Sequence, residues 1–192
     1  MIFTETELQG AYVIELKKLE DERGFFARGY CSKEFESYGL ASRVVQSNVS
    51  FNWKKATLRG LHYQNVPYVE TKLVRCTRGA IYDVIIDLRP DSNTFKQWIG
   101  VELTEVNYRM LYVPECFAHG FQTLEDHTEV IYHVSEFYTP KAEQGIRYND
   151  PAFKIHWPLE VEVISPKDEN WPDFFPSSRA ITEKRIGGLG PS

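Results

Sequence analysis

The sequence predicts a mainly β protein, a barrel or jelly roll with short peripheral helices, on the strength of three observations. Aromatic residues are abundant: 12 Phe, 11 Tyr and 4 Trp make up 14% of the 192 residues, beside only 2 Met. Rings with few flexible fillers suit half-buried strands and stacking pockets better than a helical bundle. The chain is also divided into short alternating runs punctuated by Gly, Pro, Asn and Asp, the pattern of strands and turns. At least eight such runs follow one another at close spacing, as in a closed or two-sheet β architecture. The length suits a single domain with its own core, expected over residues 1–175. The stretch 176–192, rich in Pro, Gly and Ser, reads as a flexible tail.

Taken in order, the first strands are Ala11 to Leu16 and Arg43 to Ser50. Between them Cys31 to Gly39 is expected to form about two helical turns, capped by Ser32 and stopped at Gly39. Strands follow at Thr57 to Tyr63, Lys72 to Thr77, Ala80 to Leu88 and Trp98 to Leu103. A single helical turn over Thr104 to Asn107 precedes a strand at Met110 to Val113, and the last two strands are Gly120 to Thr123 and Thr128 to Glu136. Arg78-Gly79 and Glu125-Asp126-His127 serve as turns. In Ala80 to Leu88 the even positions are all usable core residues, whereas the odd ones mix Ile81 and Ile85 with Asp83 and Asp87. One side of this strand is therefore packed, and the other lines a partly polar cavity or meets solvent.

Charge and composition exclude several roles. The 22 basic and 27 acidic residues give a net charge of −5, and no long run of like charge occurs, which argues against non-specific nucleic-acid binding. No window of 18 apolar residues suggests a membrane span, and the start MIFTETELQG lacks the pattern of a signal peptide. The three cysteines, Cys31, Cys76 and Cys116, form no metal-type pair, and a reduced cytoplasmic protein is expected.

The residues with chemical potential are few. Leu58-Arg59-Gly60-Leu61-His62-Tyr63-Gln64 packs a cation, an imidazole and a carboxamide into one strand, and Gly60 permits a bulge within it. Lys72 follows His62 by ten residues, so a hairpin loop over Asn65 to Thr71 would bring the two side chains into one cavity. A hydrogen-bonded strand histidine is the plainer alternative for His62. Tyr132 shares its face with Val130 and Val134, as a core tyrosine would, and His119 sits in a Pro-to-Gly loop where it could serve a metal, a phosphate or a turn.

Together these pieces resemble the dTDP-4-dehydrorhamnose 3,5-epimerase family, whose members are cupin-type jelly-roll β-barrels. The matching stretches run in order from Asp21-Glu22-Arg23-Gly24-Phe25-Phe26 and Val45-Gln46-Ser47-Asn48 through the His62 segment to Lys72-Leu73-Val74-Arg75. They continue with Arg78-Gly79, Tyr82-Asp83-Val84, Val113-Pro114-Glu115 and Ala118-His119-Gly120-Phe121. Gly145-Ile146-Arg147, Asn149-Asp150-Pro151, Trp157-Pro158-Leu159 and Ser165-Pro166-Lys167-Asp168 complete the set. A collinear series of this length is far more specific than any one motif.

The resemblance implies a nucleoside-diphospho-4-keto-6-deoxy-hexose as substrate, with inversion at C3 and C5. Removing the proton at either carbon leaves an enolate on the C4 ketone oxygen, so the reaction needs a base, a cation at that oxygen, and an acid on the opposite face. By the family match His62 is the base, Asp168 its orienting partner, Lys72 the cation and Tyr132 the acid. Arg23 and Arg59 match diphosphate positions, where a guanidinium fork suits phosphate oxygens. Phe26, Gln46, Asn48 and Tyr138 match positions around base and sugar, and His119 a position near the sugar. The scheme calls for no cofactor and no metal, and the resemblance implies a homodimer. Two departures stand out: Arg28 occupies a position that is often acidic in the family, which leaves the nucleobase open between thymidine and, for instance, cytidine, and Glu70 replaces a common Gln two residues before Lys72. The rival readings are a C3-only epimerase, a metal-dependent cupin using His62, Glu70 and His119, and a non-catalytic sugar-binding module.

Overall fold

The computed structural model describes residues 1–174, so the expected tail lies outside the described residues. The chain runs through β1 (Ile2–Glu5), β2 (Tyr12–Glu15), β3 (Leu19–Asp21), β4 (Gly24–Phe26) and α1 (Ser32–Ser37). The body of the fold follows as β5 (Gln46–Asn52), β6 (Thr57–Gln64), β7 (Lys72–Arg78), β8 (Ala80–Asp87), β9 (Trp98–Thr104), β10 (Met110–Val113), β11 (Phe117–Thr123) and β12 (Thr128–Val134). It closes with β13 (Glu143–Gly145), β14 (Val163–Ile164) and α2 (Pro166–Glu169).

Two sheets face one another. One has the order β1-β2-β10-β7-β12-β5, the other β13-β6-β11-β8-β9 with β14 parallel to β6, and β3 and β4 form a separate hairpin. This is the jelly-roll arrangement of a mainly β protein. Inward residues of β7, β10 and β12 (Val74, Cys76, Leu111, Val113, Val130) meet Ile81, Ile85, Leu103, Phe117 and Phe121 from the opposing sheet. The β8 strand is buried on both faces. Its odd side enters this interior, and its even residues Val84 and Ile86 pack under Ile146, Phe153 and Phe174. The solvent-facing alternative for β8 is thereby excluded.

Several local expectations are corrected. Cys31, not Ser32, occupies the cap of α1, and no side chain caps the helix; Ser32 is its first helical residue. The single turn expected over Thr104 to Asn107 is present after the end of β9: the Tyr108 N–H donates to the Thr104 carbonyl oxygen at 3.3 Å, the Thr104 N–H donates to Asn107 Oδ1 and the Asn107 N–H donates to Thr104 Oγ1. This reciprocal pair of bonds has the pattern of a capping box. Gly79, at φ +74°, and the segment Glu125 to His127 carry the chain from one sheet to the other, so they are corners between layers. The strand expected from Arg43 begins at Gln46. The loop Asn65 to Thr71 is not a hairpin within one sheet, since β6 and β7 belong to opposite sheets; it crosses from one sheet to the other with Val66 to Tyr68 exposed.

Candidate active site

The bulge foreseen at Gly60 decides the site. His62 pairs with His119 and Arg59 with Phe121, so one extra residue is accommodated on β6 between them. In an unbroken strand residues three apart point to opposite faces. The extra residue restores their alignment, and Arg59 and His62 both project inward. Gly60 has φ +103°, and a Cβ there would stand 2.7 Å from the His119 carbonyl oxygen and 2.8 Å from the Gly120 Cα.

Inward side chains from both sheets surround a cavity of about 630 Å³ lined by Arg59, His62, Lys72, His119, Tyr132 and Asp168, among others. A smaller lobe of about 280 Å³ shares His62, Lys72 and Tyr132 and adds Gln46, Asn48, Glu70, Tyr138 and Glu143. Lys72 and Tyr132 come from β7 and β12 of one sheet, while His62 comes from β6 of the other. The base and acid expected from the resemblance thus enter one space from facing layers.

Asp168 reaches His62 through local geometry that the chain itself dictates. Strand β14 pairs alongside the start of β6, and α2 follows immediately. Ser165 caps α2 by accepting the Asp168 N–H at 3.1 Å, and Pro166 supplies a preset first helical residue. The Asp168 carboxylate then meets His62 Nε2 at 2.6 Å with one oxygen and accepts the Gly60 N–H at 3.1 Å with the other. Burial works to raise the Asp168 pKa, but the His62 hydrogen bond and charge, with the Gly60 N–H, outweigh it and hold the carboxyl below its usual value. A second imidazole is held in the same way, His119 Nε2 lying 2.7 Å from the fully buried Asp83.

The cation and the phenol are also defined. Lys72 Nζ lies 3.3 Å from Glu70 Oε1 and donates to the His62 carbonyl oxygen at 3.5 Å. Burial raises the Tyr132 pKa above its ordinary 10.0; Glu70 adds to the shift and Arg59 opposes it. Arg59 is braced by Asn52, whose Oδ1 accepts from Nε at 2.6 Å. Gln46 donates to Asn48 at 2.7 Å. At the rim the Tyr138 hydroxyl donates to Glu143 at 2.6 Å, and Lys167 Nζ is 2.5 Å from the same carboxylate oxygen.

Three expected site residues lie elsewhere. Arg23 pairs with Asp21 on the β3–β4 hairpin and is 85% exposed, Phe26 is 73% exposed on the same hairpin, and Arg28 donates to Glu34. None of the three lines either cavity of its own chain. Conversely, Glu143, Lys167, Asp83 and Asn52 join or brace the site without having been singled out as site residues. Only Asp83 carried a signal, as an acid on the inward side of an otherwise apolar strand. Among the described residues no group of three or more His, Cys, Asp and Glu side chains is placed to share a metal ion, and no helix is long and apolar enough to cross a membrane. All three cysteines are free thiols.

Residues 5–175 match the family model described as dTDP-4-dehydrorhamnose 3,5-epimerase. The enzyme of that name from Shigella flexneri is 43% identical over 170 residues, covering 88% of this chain and 93% of its own. A crystal structure of the Bacillus anthracis enzyme with TDP and pyrophosphate bound is 44% identical with a TM-score of 0.87, covering 90% of this chain and 99% of its own. The Legionella pneumophila epimerase, solved in complex with dTDP-4-keto-L-rhamnose, is 40% identical with a TM-score of 0.81, covering 87% and 89%. Both the sequence match over most of the chain and the shared two-sheet fold lead to one conclusion: the chain belongs to the dTDP-4-dehydrorhamnose 3,5-epimerase family.

Proposed function

We propose that the chain converts dTDP-4-dehydro-6-deoxy-D-glucose to dTDP-4-dehydro-L-rhamnose, an isomerisation that inverts C3 and C5. The observation that carries this reading is the placement of the His62–Asp168 pair and Tyr132 on facing sheets of one cavity, with Lys72 on its wall. Asp168 occupies Nε2 of His62, which leaves Nδ1 as the ring nitrogen for the substrate. His62 takes the proton from C3 or C5, and the electron pair moves to the C4 oxygen, where the Lys72 ammonium stabilises the enolate. Tyr132 then donates its hydroxyl proton to the other face of the same carbon. The imidazolium and the phenolate return to their starting states by exchange with solvent, and the cycle repeats at the second carbon.

Arg59 is assigned to the diphosphate, Gln46, Asn48 and Tyr138 to the base and sugar, and His119 to the sugar. The Legionella complex supports the substrate class, because its ligand is a nucleotide-linked 4-keto sugar. A homodimer is part of the reading. Arg23, Phe26 and Arg28 match nucleotide positions but stand away from their own cavity, and β5 ends its sheet as an open edge beside the cavity mouth. A second copy that lays its β3–β4 hairpin against that edge would satisfy the edge and supply the missing wall.

The test is incubation of dTDP-4-dehydro-6-deoxy-D-glucose in deuterated water with the purified chain. One deuteron at C3 and one at C5 are expected, and label at C3 alone would reduce the activity to a single epimerisation. Replacing dTDP by CDP in the sugar nucleotide measures the contribution of the base, with the thymidine substrate expected to be preferred.

A further inference from the structure

Glu70 is a largely buried charge at the site with no part in the scheme above. The neighbouring charged groups are paired with residues other than Lys72: His62 with Asp168, His119 with Asp83, Glu143 with Lys167 and Tyr138, and Arg59 with Asn52. The Glu70 carboxylate stands 3.3 Å from Lys72 Nζ, and the two side chains are 12% and 9% exposed. Both line the smaller lobe together with Tyr132.

An ammonium has three donors and no preferred orientation of its own. Lys72 donates one N–H to the His62 carbonyl oxygen and is held by charge beside Glu70 at 3.3 Å, with donors left for the cavity. A rotor held in this way presents its charge to the ketone oxygen without reorganising during the reaction. The same carboxylate is near enough to Tyr132 to disfavour a phenolate, adding to the effect of burial, while Arg59 acts in the opposite sense.

We propose that Glu70 is a positioning residue of this site, one that fixes the Lys72 ammonium toward the sugar and couples its charge to the protonation of Tyr132. The inference rests on the epimerase reading and deepens it. Glu70 does not exchange a proton with the substrate; it acts through Lys72 and Tyr132.

The decisive variant is Glu70→Gln, which keeps shape and an acceptor oxygen but removes the charge. Two measurements apply. Ultraviolet titration of the phenolate, with Tyr132→Phe subtracted to assign the signal, is expected to show Tyr132 ionising about one pH unit lower in Glu70→Gln than in the native protein. In deuterium exchange the basic limb of kcat/KM moves down by a similar amount, and kcat falls at least about tenfold with KM little changed. An unshifted phenol, or an unaltered kcat and pH profile, overturns the proposal. Failure of the native protein to exchange deuterium at all would instead remove the epimerase reading, and the ultraviolet titration would still decide whether Glu70 controls Tyr132.

Discussion

Asp168 shows how one side chain can carry two duties. Its first oxygen sets which nitrogen of His62 holds the proton, and its second ties down the Gly60 N–H in the bulge. In Asp168→Asn the amide oxygen can still accept from Gly60, but the amide NH2 would face Nε2 and force the ring proton onto Nδ1. The proposed base is then blocked while the fold is kept, and deuterium exchange is expected to drop about 10³- to 10⁴-fold. The same carboxyl governs acid sensitivity. Its folded pKa lies below the ordinary 3.8, so its stabilising contribution is present above that value and is lost as pH falls through the folded pKa. Stabilities of native protein and Asp168→Asn, followed by circular dichroism across an acid titration, should differ above about pH 4 and converge as pH falls through the folded pKa. On the opposite wall, burial and then the Glu70 charge favour the neutral phenol of Tyr132, as the proposed role of proton donor requires. Tyr132→Phe is expected to lose about 10²- to 10⁴-fold in kcat while still binding the nucleotide sugar, measurable by calorimetry.

At the level of elements, the bulge in β6 is the feature on which the chemistry depends. Gly60 lies at φ +103° with backbone atoms of His119 and Gly120 where a Cβ would have to go. Gly39, after α1, also has a positive φ of +70° but nothing within 4 Å of the would-be Cβ. The contrast separates conformational strain from steric conflict. Gly39→Ala should cost about 1 kcal/mol and leave activity intact, whereas Gly60→Ala should cost roughly 2–4 kcal/mol and displace His62 from Asp168. Urea denaturation with a parallel exchange assay tests both; equal costs at the two positions would show that the bulge is not confined as described. Gly60 was legible as a possible bulge because a glycine interrupts a strand of otherwise usable residues. Which side chains that bulge aligns was not legible, because the answer depends on the pairing with β11.

For the molecule as a whole, the proposed homodimer rests on the open edge of β5 and the outlying β3–β4 hairpin. The arrangement predicts complementation between defective chains. Arg23→Ala and His62→Ala are each expected to be impaired alone. If the hairpin serves the partner's cavity, randomly mixed subunits should recover about one quarter of native activity, since half the dimers are mixed and each has one intact site of two. If the hairpin serves its own chain, mixing yields no more than the two separate activities. Sedimentation of the native protein at assay concentration supplies the independent check on the dimer.

Much of this protein was determined by its sequence alone. Alternating runs, turn residues and a load of rings with little Met specified two-layer β structure, because strand periodicity and turn chemistry are local properties. The collinear motifs identified the family, and with it the expected parts His62, Lys72, Tyr132 and Asp168. The tertiary structure decided what no local pattern encodes. Asp168 is 106 residues from His62, and only the pairing of β14 with β6 brings them to 2.6 Å. Both faces of β8 are buried because a later segment covers the second sheet, which the alternation of that strand could not reveal. Glu70 stood out as an unusual residue beside Lys72, but its ion pair and its closeness to Tyr132 required the loop that spans the two sheets. Sequence separation sets no distance once strands from opposite layers meet in one interior, and that is where this site lies.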